Sequence, residues 1–134
     1  MDLTQRILEL SQYGYFCSQI LAILLLETIG EENPKLVQAM TGLNGGVGFS
    51  GGVCGCMTGG CCLLSYFTGK PDDSHYDSPH HKTALAEFTR WFTEEMEMEY
   101  QSIDCRTSPK EILPSGYSTA RKSSRKLMKN VWKF

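Results

Sequence analysis

Between Leu43 and Gly69 the chain reads LNGGVGFSGGVCGCMTGGCCLLSYFTG, and no other stretch limits the fold so strongly. It holds most of the thirteen glycines and four of the six cysteines. Through Gly52 the glycines are too dense for a regular element. Glycine accepts positive φ and loses the most entropy on ordering, so this half predicts a loop shaped by its backbone. From Val53 onward Cys54, Met57, Cys61, Leu64 and Phe67 recur at spacings of three to four, which is a helix pattern. A glycine loop therefore feeds a helix, with Cys54-Gly55-Cys56 at the junction. The first turn of a helix offers unpaired N–H groups and a partial positive charge. A thiol placed there is pushed toward thiolate, the form that attacks disulfides or binds metal.

The rest of the chain supplies the bundle around that junction. Its 134 residues suit one helical domain, 1–134, and 41% hydrophobic with 21% charged residues is ordinary for a globular protein. Residues 2–13 form an opening helix, with Asp2 or Thr4 as cap and Leu3, Ile7 and Leu10 as its stripe. A second helix carries YFCSQILAILLLETI and ends at Gly30, a C′ glycine. It is apolar on most sides, which belongs in the middle of a bundle. Asn33 caps and Pro34 opens a third helix, in which Leu36, Val37 and Met40 face inward. After the cysteine helix comes a polar linker, residues 69–79. A long helix then runs from about His80 to Ile103, with Ala84, Leu85, Phe88, Trp91, Phe92, Met96 and Tyr100 as its stripe. Its outer face is acidic. A final helix, 118–133, carries six Lys and Arg and no acid. No useful β-alternation occurs. The predicted fold is all-α, a compact bundle of five or six helices with the glycine-rich loop feeding the cysteine-bearing helix.

Three segments together, YFCSQILAILL, GLNGGVGFSGGVCGCMTGG and the IDC that follows the long acidic helix, resemble the C_GCAxxG_C_C family of small redox-active proteins. The resemblance is strongest from Tyr13 to Gly69. The family's first cysteine is matched by Cys17, and its third by Cys105. Its glycine motif, read as CGAxxG, falls on Cys54-Gly55-Cys56-Met57-Thr58-Gly59, with Cys56 in place of the alanine. The fourth family cysteine is absent; Ser123 or Ser124 stands about where it is expected. The resemblance implies an all-helical fold and a redox or metal-associated role, and names neither reaction nor substrate.

Cys17, Cys54 and Cys105 are the candidate catalytic thiols. Two stand at predicted helix starts and the third just past a helix end. A dithiol needs one thiolate to attack and a second thiol to resolve. In the leading reading Cys54 attacks, Cys17 or Cys105 resolves and Cys56 assists, giving a thiol–disulfide or electron-transfer protein with an unidentified redox partner. Whether it is an enzyme stays open. The alternative is a metal or iron–sulfur protein that holds zinc or a cluster on Cys17, Cys54, Cys56 and Cys105. The bland reading is a helical interaction module whose cysteines only pack. Cys54 and Cys56 diverge by about 200° if both are helical, and converge only if Gly55 belongs to the loop. Cys61 and Cys62 read as helix-contact filler, and Gly59 and Gly60 as sites where another helix comes close.

Other features add less. The loop lacks both G-x-x-x-x-G-K-[ST] and a preceding strand, so nucleotide binding is disfavoured. His75, His80 and His81 read as surface residues. A net charge of −2 gives no general attraction to nucleic acid. The basic final helix is expected to dock on the acidic long helix in preference to a membrane surface. The longest apolar run, Ile20 to Leu26, falls short of the about 20 residues a span needs. With no signal-peptide pattern the expected location is cytoplasmic. A small bundle with an exposed apolar face also makes a homodimer plausible.

Overall fold

The computed structural model describes residues 2–105. Five α-helices lie among them: α1 Leu3–Gln12, α2 Cys17–Ile29, α3 Pro34–Met40, α4 Gly55–Thr68 and α5 His81–Tyr100, with a 3-10 turn at Thr41–Leu43 after α3. The fold is an all-α bundle, as the sequence predicts. The expected final helix, its docking on α5 and the site of the missing fourth cysteine lie outside the described residues.

The apolar patterns decide the packing. α2 is buried along Ile20, Leu21, Ala22, Leu24, Leu25 and Leu26, as a helix without a polar face must be. It packs chiefly against α4, and α4 against α5. One core joins Leu21, Leu25, Met40, Cys56, Leu63, Leu64, Phe88 and Phe92. A second, smaller cluster of Ile7, Leu10, Ile20 and Leu24 seats α1 on α2.

Helix ends follow local chemistry. The Asn33 side chain accepts from the Leu36 N–H at 3.1 Å, and Pro34 opens α3. Gly30 ends α2 in the left-handed region, φ 71°. Asp2 holds the cap position of α1 without a side-chain cap bond. α5 stops at Tyr100 rather than Ile103, because Gln101 turns left-handed at φ 62° and the chain then doubles back.

That return positions the site. Val53 and Asp104 form an isolated antiparallel bridge. The Cys54 N–H donates to Ile103 O and the Cys105 N–H to Gly52 O, each at 2.8 Å. The chain after α5 is thereby tied to the start of α4.

The small residues of α4 set its distance from its neighbours. A Cβ at Gly59 would lie 3.2 Å from Ser18 Cβ on α2, and one at Gly60 would lie 2.4 Å from Phe88 Cζ on α5. The helices that approach Gly59 and Gly60 belong to the same chain.

Candidate functional site

The loop from Asn44 to Gly52 is left-handed over most of its length. Gly45, Gly46, Val47, Gly48 and Phe49 all have positive φ, between 58° and 78°, and Gly51 follows at 76°. L-residues pay for this conformation through Cβ–carbonyl crowding, and a β-branched residue pays most. Val47 and Phe49 are held there by a ladder of backbone bonds: Gly48 N–H to Gly42 O, Phe49 N–H to Asn44 O, Gly52 N–H to Gly46 O. A Cβ at Gly46 would sit 2.5 Å from the Gly52 carbonyl oxygen, so the loop closes on itself only with glycine at that position.

A buried polar cluster fastens the loop to α2. Asn44 and Ser18 are both fully buried. Ser18 Oγ lies between the Met40 carbonyl, at 2.8 Å, and the Asn44 side-chain amide. Asn44 Nδ2 donates to Gln19 Oε1 at 3.1 Å, and Gln19 Nε2 donates to Thr41 Oγ1 at 2.9 Å. The residue before Ser18 is Cys17 and the residue after Asn44 is Gly45. This cluster therefore sets the Gly45 N–H against the Cys17 sulfur, to which it hydrogen-bonds. Asn44 and Ser18 escape the sequence reading; an Asn before a Gly-Gly pair signals only a turn.

Three thiols meet where the N-termini of α2 and α4 converge. Cys17 is the first residue of α2, Cys54 is the N-cap of α4 and Cys56 lies in the first turn of α4. Cys54 has extended backbone, φ −52° and ψ 132°. It therefore escapes the helical divergence from Cys56 that two helical residues would have, although Gly55 itself is already in the helix. Cys56 is completely buried, and its thiol is hydrogen-bonded to both Cys17 and Cys54. Gly55 lets the helices close: a Cβ there would lie 2.5 Å from Cys17 Sγ and 2.8 Å from Leu43 O.

The electrostatics divide the three thiols into two kinds. The hydrogen bond from Cys56 favours the Cys17 thiolate, burial opposes it, and the amides of Gly45, Ser18 and Cys17 itself add to it. The result holds Cys17 down at about 7. Cys54 is lowered by the bond from Cys56, against burial, with help from the first-turn amides of Cys56 and Met57; a charge on Cys17 works against it. These amides act without closing a regular capping bond. Cys56 is pushed well above the ordinary thiol value by its bonds to Cys17 and Cys54 and by burial. One protonated inner thiol thus serves two outer ones, and with a single proton it can donate to one of them at a time.

The other expected residues fall as follows. Cys105 is half-buried and its amide pairs with Gly52, which places it on the backbone pairing that also holds Cys54. Cys61 and Cys62 lie further along α4, where burial raises both thiols. Among the described residues no group of three or more His, Cys, Asp or Glu is arranged to hold a metal ion. His75 accompanies Asp72 on the exposed linker, and His81 Nδ1 lies 2.7 Å from Thr68 Oγ1. A groove of about 810 Å³ opens between α1, α2 and α3, and no cysteine is among the residues that line it.

The elements that carry the thiols are uncharged and partly apolar, while Asp104 on the returning chain pairs with Val53 beside Cys54. No residue between Glu9 and Glu27, or between Lys35 and Lys70, is charged. Phe16 and Phe49 meet edge to face, ring centroids 5.3 Å apart, and both are about half exposed beside Cys17. No helix among the described residues is long and apolar enough to cross a membrane.

The family model described as "Putative redox-active protein (C_GCAxxG_C_C)" matches residues 15–132. No curated protein and no solved structure matches the chain. The motif spelled in the family's description, Gly-Cys-Ala-x-x-Gly, reads onto Gly55-Cys56-Met57-Thr58-Gly59-Gly60, one residue later than the Cys54–Gly59 register taken from sequence. Cys56 then stands at the motif cysteine and Met57 at the alanine. The two motif glycines are Gly55, pressed on Cys17, and Gly60, pressed on Phe88.

Proposed function

The chain belongs to the C_GCAxxG_C_C family of redox-active proteins, and from that premise we propose that it is a thiol–disulfide exchange protein in which Cys17 attacks and Cys56 resolves. One observation carries this reading: a buried, protonated thiol is hydrogen-bonded to a thiol that is lowered at a helix N-terminus. An attacking thiol works best when its pKa is near the ambient pH, where thiolate fraction and nucleophilicity are balanced. Cys17, at about 7, meets that condition. Its thiolate attacks one sulfur of a substrate disulfide, forms a mixed disulfide and releases the other sulfur as a thiolate. Cys56 then loses its proton to that departing thiolate and attacks Cys17 Sγ, releasing the second substrate thiol. The substrate gains two electrons, and Cys17–Cys56 becomes a disulfide.

In this reading the attacking role passes from Cys54 to Cys17, and the resolving role from Cys17 or Cys105 to Cys56, which the sequence reading had only assisting. Cys54 keeps a lowered thiol and a place in the site. The neutral, aromatic-flanked approach to Cys17 suits an uncharged disulfide substrate better than an anionic one. The test is the rate of reaction with a small aromatic disulfide at pH 7. Cys17→Ser is expected to lose at least tenfold, and Cys62→Ser, a distant exposed thiol, to react like the unsubstituted protein. Equal rates for Cys17→Ser and the unsubstituted protein would remove Cys17 from the role.

A further inference from the structure

We propose that Cys56 is the shared middle of a three-thiol relay, through which a disulfide formed at Cys17 is handed to Cys54. This inference rests on the thiol–disulfide reading above and adds a second, separate outlet to it. The argument is geometric. Cys56 is completely buried, so it does not meet a substrate directly; it reaches the outside only through its two thiol neighbours. Those neighbours come from different elements, Cys17 from the start of α2 and Cys54 from the cap of α4. Both are half-buried, and both lie within hydrogen-bond reach of the same sulfur.

The two outer thiols also face different surroundings. Cys17 is approached past Phe16 and Phe49 and the left-handed loop. Cys54 lies against the returning chain, its N–H held by Ile103 O, with Cys105 on the same pairing.

The transfer step balances without any added oxidant. In the Cys17–Cys56 disulfide the Cys54 thiolate attacks Cys56 Sγ. A Cys54–Cys56 bond forms, the Cys17–Cys56 bond breaks, and Cys17 leaves as a thiolate. No net electrons move; the oxidising equivalent, which came from the substrate disulfide, changes place. Cys17 leaves toward the amides of Gly45, Ser18 and Cys17 itself, which favour its thiolate whether or not Cys56 carries a proton. The two-residue spacing of Cys54 and Cys56 allows the bond, since such Cα atoms are at most about 7 Å apart and disulfides span up to about 6.8 Å. Cys54, at the cap with non-helical backbone, already has its thiol against Cys56. The Gly55 between them lacks the Cβ that would push Cys17 out of reach.

The experiment follows the disulfide in time. The reduced full chain is mixed with one equivalent of a small aromatic disulfide, quenched with acid at intervals, alkylated and mapped by mass spectrometry of peptides. The relay predicts that Cys17–Cys56 appears first and that Cys54–Cys56 grows as it declines. In Cys17→Ser, slower oxidation is expected to give Cys54–Cys56 directly, and in Cys54→Ser only Cys17–Cys56. A stable Cys17–Cys56 bond, with Cys54 free throughout, overturns the relay and leaves the dithiol reading standing. No disulfide at Cys17 at any time overturns both. The unsubstituted protein alone decides between these outcomes if a variant fails to fold.

Discussion

Asn44 shows how a residue with no redox chemistry sets the chemistry of one that has it. It is fully buried, bonded to Ser18 and Gln19, and it directs the next amide, Gly45, at the Cys17 sulfur. Asn44→Ala leaves buried polar partners unsatisfied and is expected to cost about 1–3 kcal/mol in urea unfolding. It should also slow alkylation of Cys17 at pH 7 relative to Cys54 in the same molecule, a ratio that a general loss of stability does not change. The three thiols predict a stability profile with pH. Cys17 is lowered to about 7 from the ordinary thiol value near 9, so between these values the unfolded chain holds more protons than the folded one. Stability then rises with pH from about 7 to 9, and this part is lost as pH falls through 7. Cys56 is raised well above 9, so its contribution has the opposite sense and stability falls on the alkaline side. Urea midpoints should rise from about pH 7 to 9 and fall again above 9; a profile flat on both sides would mean that neither thiol is shifted. Cys54 at the helix start was legible in the sequence, because a glycine loop before an apolar period marks an N-terminus. The role of Cys56 was not. The divergence of two helical residues argued against pairing it with Cys54, and only the extended backbone of Cys54 removes that objection.

At the level of elements, the left-handed loop and the glycine face of α4 are where sequence and structure constrain each other most. The glycine density of residues 45–52 is readable as a loop, but its handedness is not, since Val47 and Phe49 are residues that avoid positive φ. Val47 is about half exposed, and Phe49, about as exposed, packs its ring only on Phe16 and beside Gly45, so burial in a core does not explain them. Strain of this kind is kept where surrounding structure enforces it, and it gathers at functional sites. Val47→Gly relieves about 1–2 kcal/mol of crowding and partly offsets it by a more flexible unfolded chain. The expected result in urea unfolding is unchanged or slightly raised stability, where Val→Gly in ordinary backbone lowers it. Gly60→Ala should do the reverse. Alanine improves helix propensity by about 1 kcal/mol, but its Cβ would lie 2.4 Å from Phe88 Cζ, so a net loss of about 1–3 kcal/mol is expected. The close approach at Gly59 and Gly60 was legible as small residues on a helix. The identity of the neighbours, α2 and α5 of the same chain, depended on long-range packing that no local pattern encodes.

For the whole molecule, five of the predicted helices and their buried stripes follow from 3.6-residue periodicity, because each helix has one face that only a bundle can cover. What periodicity does not contain is the convergence of two helix starts and the pairing of Val53 with Asp104, each of which joins residues far apart in the chain. That convergence makes one site of Cys17, Cys54 and Cys56, and it is the central claim. The most direct test is a thiol and metal count on one anaerobically purified sample, followed by mild oxidation and peptide mapping. The account predicts six titratable thiols in the reduced chain, the loss of two on oxidation, and Cys56 as a member of every disulfide that forms. Stoichiometric iron or zinc with these cysteines protected, or a disulfide that joins Cys61 or Cys62 and leaves Cys56 free, would contradict it.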